Sequence, residues 1–168
     1  IKLDSKGPVL FKQVRVTTYG RKFKIWKFRT MVNHADKLGT QVTTKGDARI
    51  TRMGHLLRKV RLDELPQLFN VLKGDMTFVG TRPEVPKYVA HYTEEMMATF
   101  LLPAGVTSRT SIEYKDEDSL LENAEDADEV YIKEVLPAKM VYNLREIEKF
   151  SFMRDICTMI KTVIAVTK

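Results

Sequence analysis

The tetrapeptide Asp63-Glu64-Leu65-Pro66 constrains this chain more than any other feature, set within residues 58–83, RKVRLDELPQLFNVLKGDMTFVGTRP. Proline lacks an N–H and fixes φ, so it suits a first helical turn and forbids a regular element running through it. With Asp63 as the cap, Pro66 falls at the third helical position. The helix then runs through Gln67, Leu68, Phe69, Val71 and Leu72 to a stop at Lys73-Gly74. Asp63 would sit where unpaired N–H groups and the helix dipole favour negative charge. Arg58, Lys59, Arg61 and, further on, Arg82 surround it in sequence. Two readings stand side by side. Asp-Glu in a first turn is ordinary capping, and an ionised carboxylate among cations is equally a nucleophile or a metal ligand.

Upstream, Ser5-Lys6-Gly7-Pro8 marks a turn, and Val9-Leu10-Phe11 with Val14 and Val16 reads as strand. Tyr19-Gly20-Arg21-Lys22 is a second turn signal. Phe23 to Phe28 then alternates apolar and cationic residues, the pattern of a half-buried strand that completes a hairpin. Lys24 and Lys27 take opposite faces of such a strand, whereas Lys27 and Arg29 share one and are candidates to meet a common phosphate. Plain surface charge is the competing reading for that pair. Residues 33–48 are polar and turn-rich, which predicts a mobile loop. Ile50, Met53, Leu56, Leu57 and Val60 recur at helical spacing, with Arg52, Arg58, Lys59 and Arg61 largely on other faces. Two short helices joined tightly also describe a helix-turn-helix, so a DNA-binding module is the main rival. Its second helix would offer a groove only Gln67, Asn70 and Lys73, too few side chains to read bases.

Met76 to Gly80 reads as a short strand leading to Thr81-Arg82-Pro83. Arg82 is either a planar donor fork for phosphate or a structural arginine paired with an acid. Residues 84–102 are predicted helical, with Pro86 in the first turn and Met96, Met97, Phe100 and Leu101 as a core stripe. Residues 113–134 hold ten Asp/Glu against two Lys, the mark of a solvated face. Pro137 is expected to open a helix reaching Phe150. From Ser151 a final helix places Phe152, Ile156, Met159, Ile160, Val163 and Ile164 on one side. Docking on the core is favoured for it over lying on a lipid interface. Cys157 in that helix is expected to be buried. His34, His55 and His91 lack companions at metal-ligand spacing.

Apolar residues at 43% and charged residues at 30% exclude a disordered chain, and 168 residues suit one domain, 1–168. A single cysteine excludes an internal disulfide and fits a reducing compartment. No run reaches the ~18 apolar residues of a spanning helix. The net charge of +6 hides an asymmetry: residues 1–62 carry sixteen Lys/Arg against three Asp/Glu, while the remainder is net acidic. A basic half calls for an anionic partner, whether nucleotide, phospholipid surface or nucleic acid.

LDELPQLFNVLKGDM followed by VG-x-RPE, together with FKQ-x-R, FKIWKFRTM and RITRMGHLLRK, resembles the bacterial sugar transferases, the monotopic phosphoglycosyl transferases. The resemblance runs in order over nearly the whole chain, including LPAGVTSRTSIEYKDEDSLL. Departures are Ala48 and Thr81 where the family has proline, Ala104 between Pro103 and Gly105, and Ser108 where many members have glycine. The resemblance implies an α/β domain, mostly helical with a small antiparallel β-hairpin. It implies transfer of a sugar-1-phosphate from a UDP-sugar to polyprenol phosphate at the cytoplasmic face of the bacterial inner membrane. The family's hydrophobic membrane-entering helix, which precedes an SKGP-like turn, is not in this stretch. By resemblance Asp63 is the nucleophile forming an aspartyl-phosphosugar, Glu64 holds Mg²⁺, and Arg58 and Arg82 balance phosphate charge. Lys27, Arg29, Arg82 and Pro83 then bind substrate, and no nucleic acid is involved. An inactive scaffold of a polysaccharide assembly complex and a homo-oligomer are left open.

Overall fold

The computed structural model describes residues 1–168 except 36, 37, 41, 45, 115, 116, 123, 125 and 168. It is about half helical with two small sheets. β1 (Leu10–Val16) and β2 (Lys22–Phe28) form the expected antiparallel hairpin, Leu10 opposite Phe28 and Val16 opposite Lys22. The turn closes because Tyr19 (φ 55°) and Gly20 (φ 74°) both adopt left-handed backbone. Alternation along β2 buries Phe23 and Ile25, and Lys27 continues their line on the same face. A cation is thereby carried from the edge of the core into the interior.

α1 (Arg52–Lys59) rests on the backbone just beyond β2. Thr51 caps it, accepting from the Gly54 N–H at 3.0 Å, and a Cβ at Gly54 would lie 1.9 Å from the Thr30 carbonyl oxygen. Only glycine permits that approach. The apolar stripe of α1 faces away from the core, with Met53, Leu56 and Val60 exposed. Arg49 pins the polar loop before α1, pairing with Asp47 and donating to the carbonyls of Ala35 (3.1 Å) and Thr40 (2.9 Å). Residues 36, 37, 41 and 45 of that loop lie outside the described residues.

The capping reading of Asp63 is corrected. Arg61 takes a left-handed φ of 54°, a tight 3₁₀ turn spans Leu62–Glu64, and α2 (Gln67–Leu72) begins after Pro66 as its cap residue. A left-handed residue breaks the helical path, so Asp63 belongs to the connecting turn and caps nothing. α2 ends as expected at Gly74 (φ 75°), whose N–H donates to the Val71 carbonyl at 2.9 Å. Asn70 fastens α2 to β2, accepting from the Trp26 N–H at 3.0 Å and donating to the Lys24 carbonyl at 2.9 Å.

β3 (Thr77–Val79) pairs in parallel with β4 (Gly105–Thr107). A Cβ at Gly105 would meet the Gly80 nitrogen at 2.1 Å, so two glycines allow this contact. Residues 84–102 are not one helix. They divide into α3 (Pro86–Val89), α4 (Glu94–Met97) and a 3₁₀ turn, because Thr93 caps a fresh start by accepting from the Met96 N–H. Met97 and Leu101 of the expected core stripe are exposed.

α5 (Arg109–Glu113), α6 (Glu117–Leu120) and α7 (Ala127–Val130) follow. A π-turn, Tyr131–Val135, joins α7 to α8 (Leu136–Glu148). Helix therefore starts ten residues before Pro137, and the wider turn absorbs the missing proline N–H. The acidic stretch is more than a solvated face, since it supplies the buried Leu121, Ala127 and Tyr131 to the core with Val85, Tyr88 and Leu136.

α9 (Phe152–Thr167) docks on the core as expected, against α5, β3 and β4, but most of its apolar side is turned outward. Its inner contacts are the buried Thr158 and a Thr162–Thr107 hydroxyl contact at 2.8 Å, while Phe152, Met153, Ile160, Val163 and Ile164 are exposed. Small hydroxyl residues allow close approach there and leave the bulky side chains outside. Cys157 is exposed, not buried. No helix among the described residues is long and apolar enough to cross a membrane.

Candidate active site

The hairpin, α1, the 62–64 turn, the Arg82 segment, α5 and α8 enclose a cavity of about 1410 Å³. α2 and the turn before it are inverted in polarity. Asp63, Gln67 and Asn70, spaced four and three residues apart, are buried, whereas Leu65, Leu68, Phe69 and Leu72 are exposed. Asp63 is 7% exposed and borders the cavity. No hydrogen bond reaches its carboxylate from the described residues, and its oxygens are not among the sealed, unpartnered atoms. They face the cavity.

Glu64 has the opposite setting. Arg82 grips both of its oxygens, Nη1 donating to Oε2 at 3.1 Å and Nη2 to Oε1, and Lys27 Nζ donates to Oε1 at 3.0 Å. Burial alone would push the Glu64 carboxyl up, but Arg82 and Lys27 outweigh it and hold the group well below the ordinary range. Burial raises Asp63 and the Glu64 charge adds to that, against the opposing pull of Lys27, Arg58 and Arg82. Burial, partly offset by Glu64, lowers Lys27 to about 8. The charge of Glu64 raises Arg82 further, so it stays a cation. Adjacent carboxylates whose environments pull them apart are a recurring basis for distinct chemical roles.

Of the residues singled out from sequence, the fold gathers Asp63, Glu64, Lys27, Arg58 and Arg82 around one cavity. Arg58 donates to the hydroxyls of Thr30 and Thr43, both at 3.2 Å. Arg29 also borders the cavity, yet its buried guanidinium is committed to Ser5 and to the carbonyls of Pro8 and Met31. It does not share a partner with Lys27. Pro83 is buried off the cavity wall, its carbonyl accepting from Arg15 at 3.0 Å.

A second buried charge cluster on the same cavity was not assigned from sequence. Glu84 accepts from Tyr131 Oη at 2.5 Å, with Lys139 Nζ 3.6 Å and Arg15 3.8 Å away, and Lys139 also pairs with Glu117 at 2.9 Å. Burial pushes Glu84 up, but Lys139 and Arg15 hold it below its ordinary range. Because Arg15 grips Pro83 and Glu84, this cluster fixes the backbone that directly follows Arg82. The available signals were the arginine of FKQ-x-R and a lysine at core spacing with Val135, Leu136, Met140 and Asn143.

No group of three or more His, Cys, Asp or Glu converges among the described residues, so they form no closed cage for a free cation. Magnesium is commonly held by one or two carboxylates together with waters and substrate phosphates. Glu64 and Asp63 supply hard oxygen donors of that kind, so the donor set fits an ion arriving with a diphosphate.

The family described as bacterial sugar transferase matches residues 1–168. The chain belongs to the bacterial sugar transferase family. Among similar proteins is the UDP-N-acetylgalactosamine-undecaprenyl-phosphate N-acetylgalactosaminephosphotransferase of Aeromonas hydrophila. It is 37% identical over 166 residues, covering 97% of this chain and 36% of the relative. The UDP-glucose:undecaprenyl-phosphate glucose-1-phosphate transferase of Escherichia coli (strain K12) is 40% identical over 142 residues, 80% of this chain and 30% of that one. A Xanthomonas campestris pv. campestris transferase with the same description is 50% identical over 93 residues, 55% of this chain and 19% of that one. This sugar transferase chain thus spans about a third or less of the length of these three relatives.

Proposed function

We infer that this chain is a phosphoglycosyl transferase domain moving a sugar-1-phosphate from a UDP-sugar onto undecaprenyl phosphate. The observation that carries the reading is the divided pair: a cavity-facing Asp63 that no donor among the described residues reaches, beside a Glu64 gripped by Arg82 and Lys27. A free carboxylate next to a fixed cationic cluster suits attack on a phosphorus whose leaving group carries negative charge. An Asp63 oxygen attacks the β-phosphorus, the bond to the UMP oxygen breaks, and UMP leaves with the bonding electrons. The acceptor phosphate oxygen then attacks the same phosphorus, and the Asp63 carboxylate is released unchanged. No net proton is taken up. Arg82 and Lys27 exchange part of their hold on Glu64 for phosphate oxygens, Arg82 through a planar fork matched to them. Arg58 adds positive charge near Asp63, while Arg29 and Pro83 keep the substrate-facing backbone in place. Mg²⁺ held by Glu64 would neutralise diphosphate charge.

The acceptor's chemistry places the reaction at a lipid surface, and the exposed Leu65, Leu68, Phe69 and Leu72 beside the site support that setting. The cytoplasmic face of the bacterial inner membrane, and a role in starting a surface glycan, belong to the same proposal. The decisive experiment gives the full-length protein a panel of UDP-sugars with undecaprenyl phosphate and measures UMP release, with and without chelator. Acceptor-dependent UMP release that stops with EDTA and returns with Mg²⁺ is expected. Its absence with every donor overturns the reading, and full turnover in excess EDTA removes the metal.

A further inference from the structure

Gln67 is the residue the fold buries without satisfying. It is 1% exposed, and its Nε2 is the single buried side-chain polar atom among the described residues with no hydrogen-bond partner. Such a donor loses its water and gains nothing in return, so its persistence calls for a purpose. Its surroundings narrow what that purpose is. Gln67 stands four residues after Asp63 and three before Asn70, on the buried face they share. Asn70 has its amide engaged on both atoms, with Trp26 and Lys24. Asp63 has a carboxylate that no described donor reaches. An acceptor lacking a donor and a donor lacking an acceptor therefore lie about one helical turn apart on one face.

We propose that Gln67 is a positioning residue for Asp63: rotation of the two side chains, which lie about one helical turn apart, closes the gap between them, so that the Gln67 NH₂ donates to one carboxylate oxygen and the other stays turned to the cavity. The inference rests on the reading of Asp63 as nucleophile. One such bond fixes the rotation of the carboxylate, so the attacking oxygen is presented in a single orientation. The held oxygen stays an acceptor throughout, as carboxylate oxygen before attack and as acyl carbonyl oxygen once its neighbour is bonded to phosphorus. No proton passes to or from Gln67.

The test uses the full chain and two variants. Gln67→Met keeps the length of the side chain and removes both donors, and Gln67→Asn keeps the amide but withdraws it by one methylene. With UDP-sugar alone, the rate of the first UMP release should fall about tenfold to a hundredfold in both, with the donor KM changed less than about twofold. The melting temperature of Gln67→Met should stay within a few degrees of wild type, because methionine fills the same buried volume. Independently of turnover, the Gln67 side-chain N–H resonances of the free protein should move when Asp63 is changed to alanine. Wild-type burst rates in both variants overturn the proposal, as do Gln67 resonances indifferent to Asp63→Ala. Should wild type release no UMP with any donor, the nucleophile reading fails, and the resonance measurement still decides whether Gln67 holds Asp63.

Discussion

Asp63 and Glu64 share a peptide bond and a cavity, yet Glu64 takes Arg82 and Lys27 while Asp63 takes no donor from the described residues. The turn at Leu62–Glu64 directs the two side chains to different surroundings. One carboxylate is thereby anchored and the other left reactive.

That division predicts opposite stability effects from two similar substitutions. The folded pKa of Asp63 is raised, so its folded form holds a proton more tightly than the unfolded chain does. The stability from this group is present at low pH and declines as pH rises through the carboxylate range. At neutral pH the ionised side chain is a cost. Asp63→Asn should therefore melt at or above the wild-type temperature at pH 7, with a smaller difference near pH 3, while turnover falls by orders of magnitude. Donor alone should leave a sugar-phosphate mass on the wild-type peptide holding Asp63 and none on the variant. Retained turnover in Asp63→Asn sinks the assignment.

Glu64→Gln should behave the other way. A folded pKa held well below normal contributes stability that is present above the unfolded value and lost as pH falls through the folded one. Removing the charge leaves Arg82 and Lys27 facing each other without their anion. Breaking a fully buried pair costs roughly 3–5 kcal/mol. The Arg82 side chain keeps 30% exposure, so the loss should be nearer about 2 kcal/mol. For a chain of this size that is a melting point about 4–8 °C lower at pH 7, with the gap closing in acid. Equal melting points at pH 7 would mean that the cluster stores no such energy.

Much of this site was legible beforehand because its residues come from short, signal-rich segments. The hairpin follows from period-two alternation between turn residues, and Asp63, Glu64 and Arg82 follow from composition around a proline. The position of Asp63 in the turn was not legible, because it depends on Arg61 at positive φ, and nothing marks a non-glycine residue for that conformation. Periodicity in α1, α2 and α9 finds an apolar stripe but not which way it faces, and here stripes face outward. The parallel pairing of β3 with β4 joins two three-residue strands far apart in sequence, and only the steric demand at Gly80 and Gly105 records it.

Lys27 gives a pH test with two signs. Its folded pKa is lowered from 10.5 to about 8, so between those values the unfolded chain binds more protons and stability rises with pH. Activity should fall over the same interval, because neutral Lys27 no longer restrains Glu64 or meets phosphate. The pH profile of kcat/KM should show an alkaline limb near 8, and Lys27→Arg should displace that limb upward, since a guanidinium stays charged. An unmoved limb in Lys27→Arg would assign the titration to another group.

The outward apolar face of α2 makes the last prediction. Leu72 is 83% exposed and Leu68 42%, with Phe69 between them and exposed cations at Arg52, Lys59 and Lys73 on neighbouring segments. Apolar side chains framed by cations match an anionic lipid surface, where the chains enter the acyl boundary and the lysines meet headgroups. Full-length protein should sediment with phosphatidylglycerol vesicles more than with neutral ones, and added salt should weaken binding by screening. Leu68→Gln with Leu72→Gln removes roughly 3 kcal/mol of apolar transfer, about a hundredfold in partitioning. Both side chains already lie outside the core, so the melting temperature in solution should hold or rise. Vesicle binding equal to wild type in that double variant would show that this face does not meet lipid, whatever else brings the protein there.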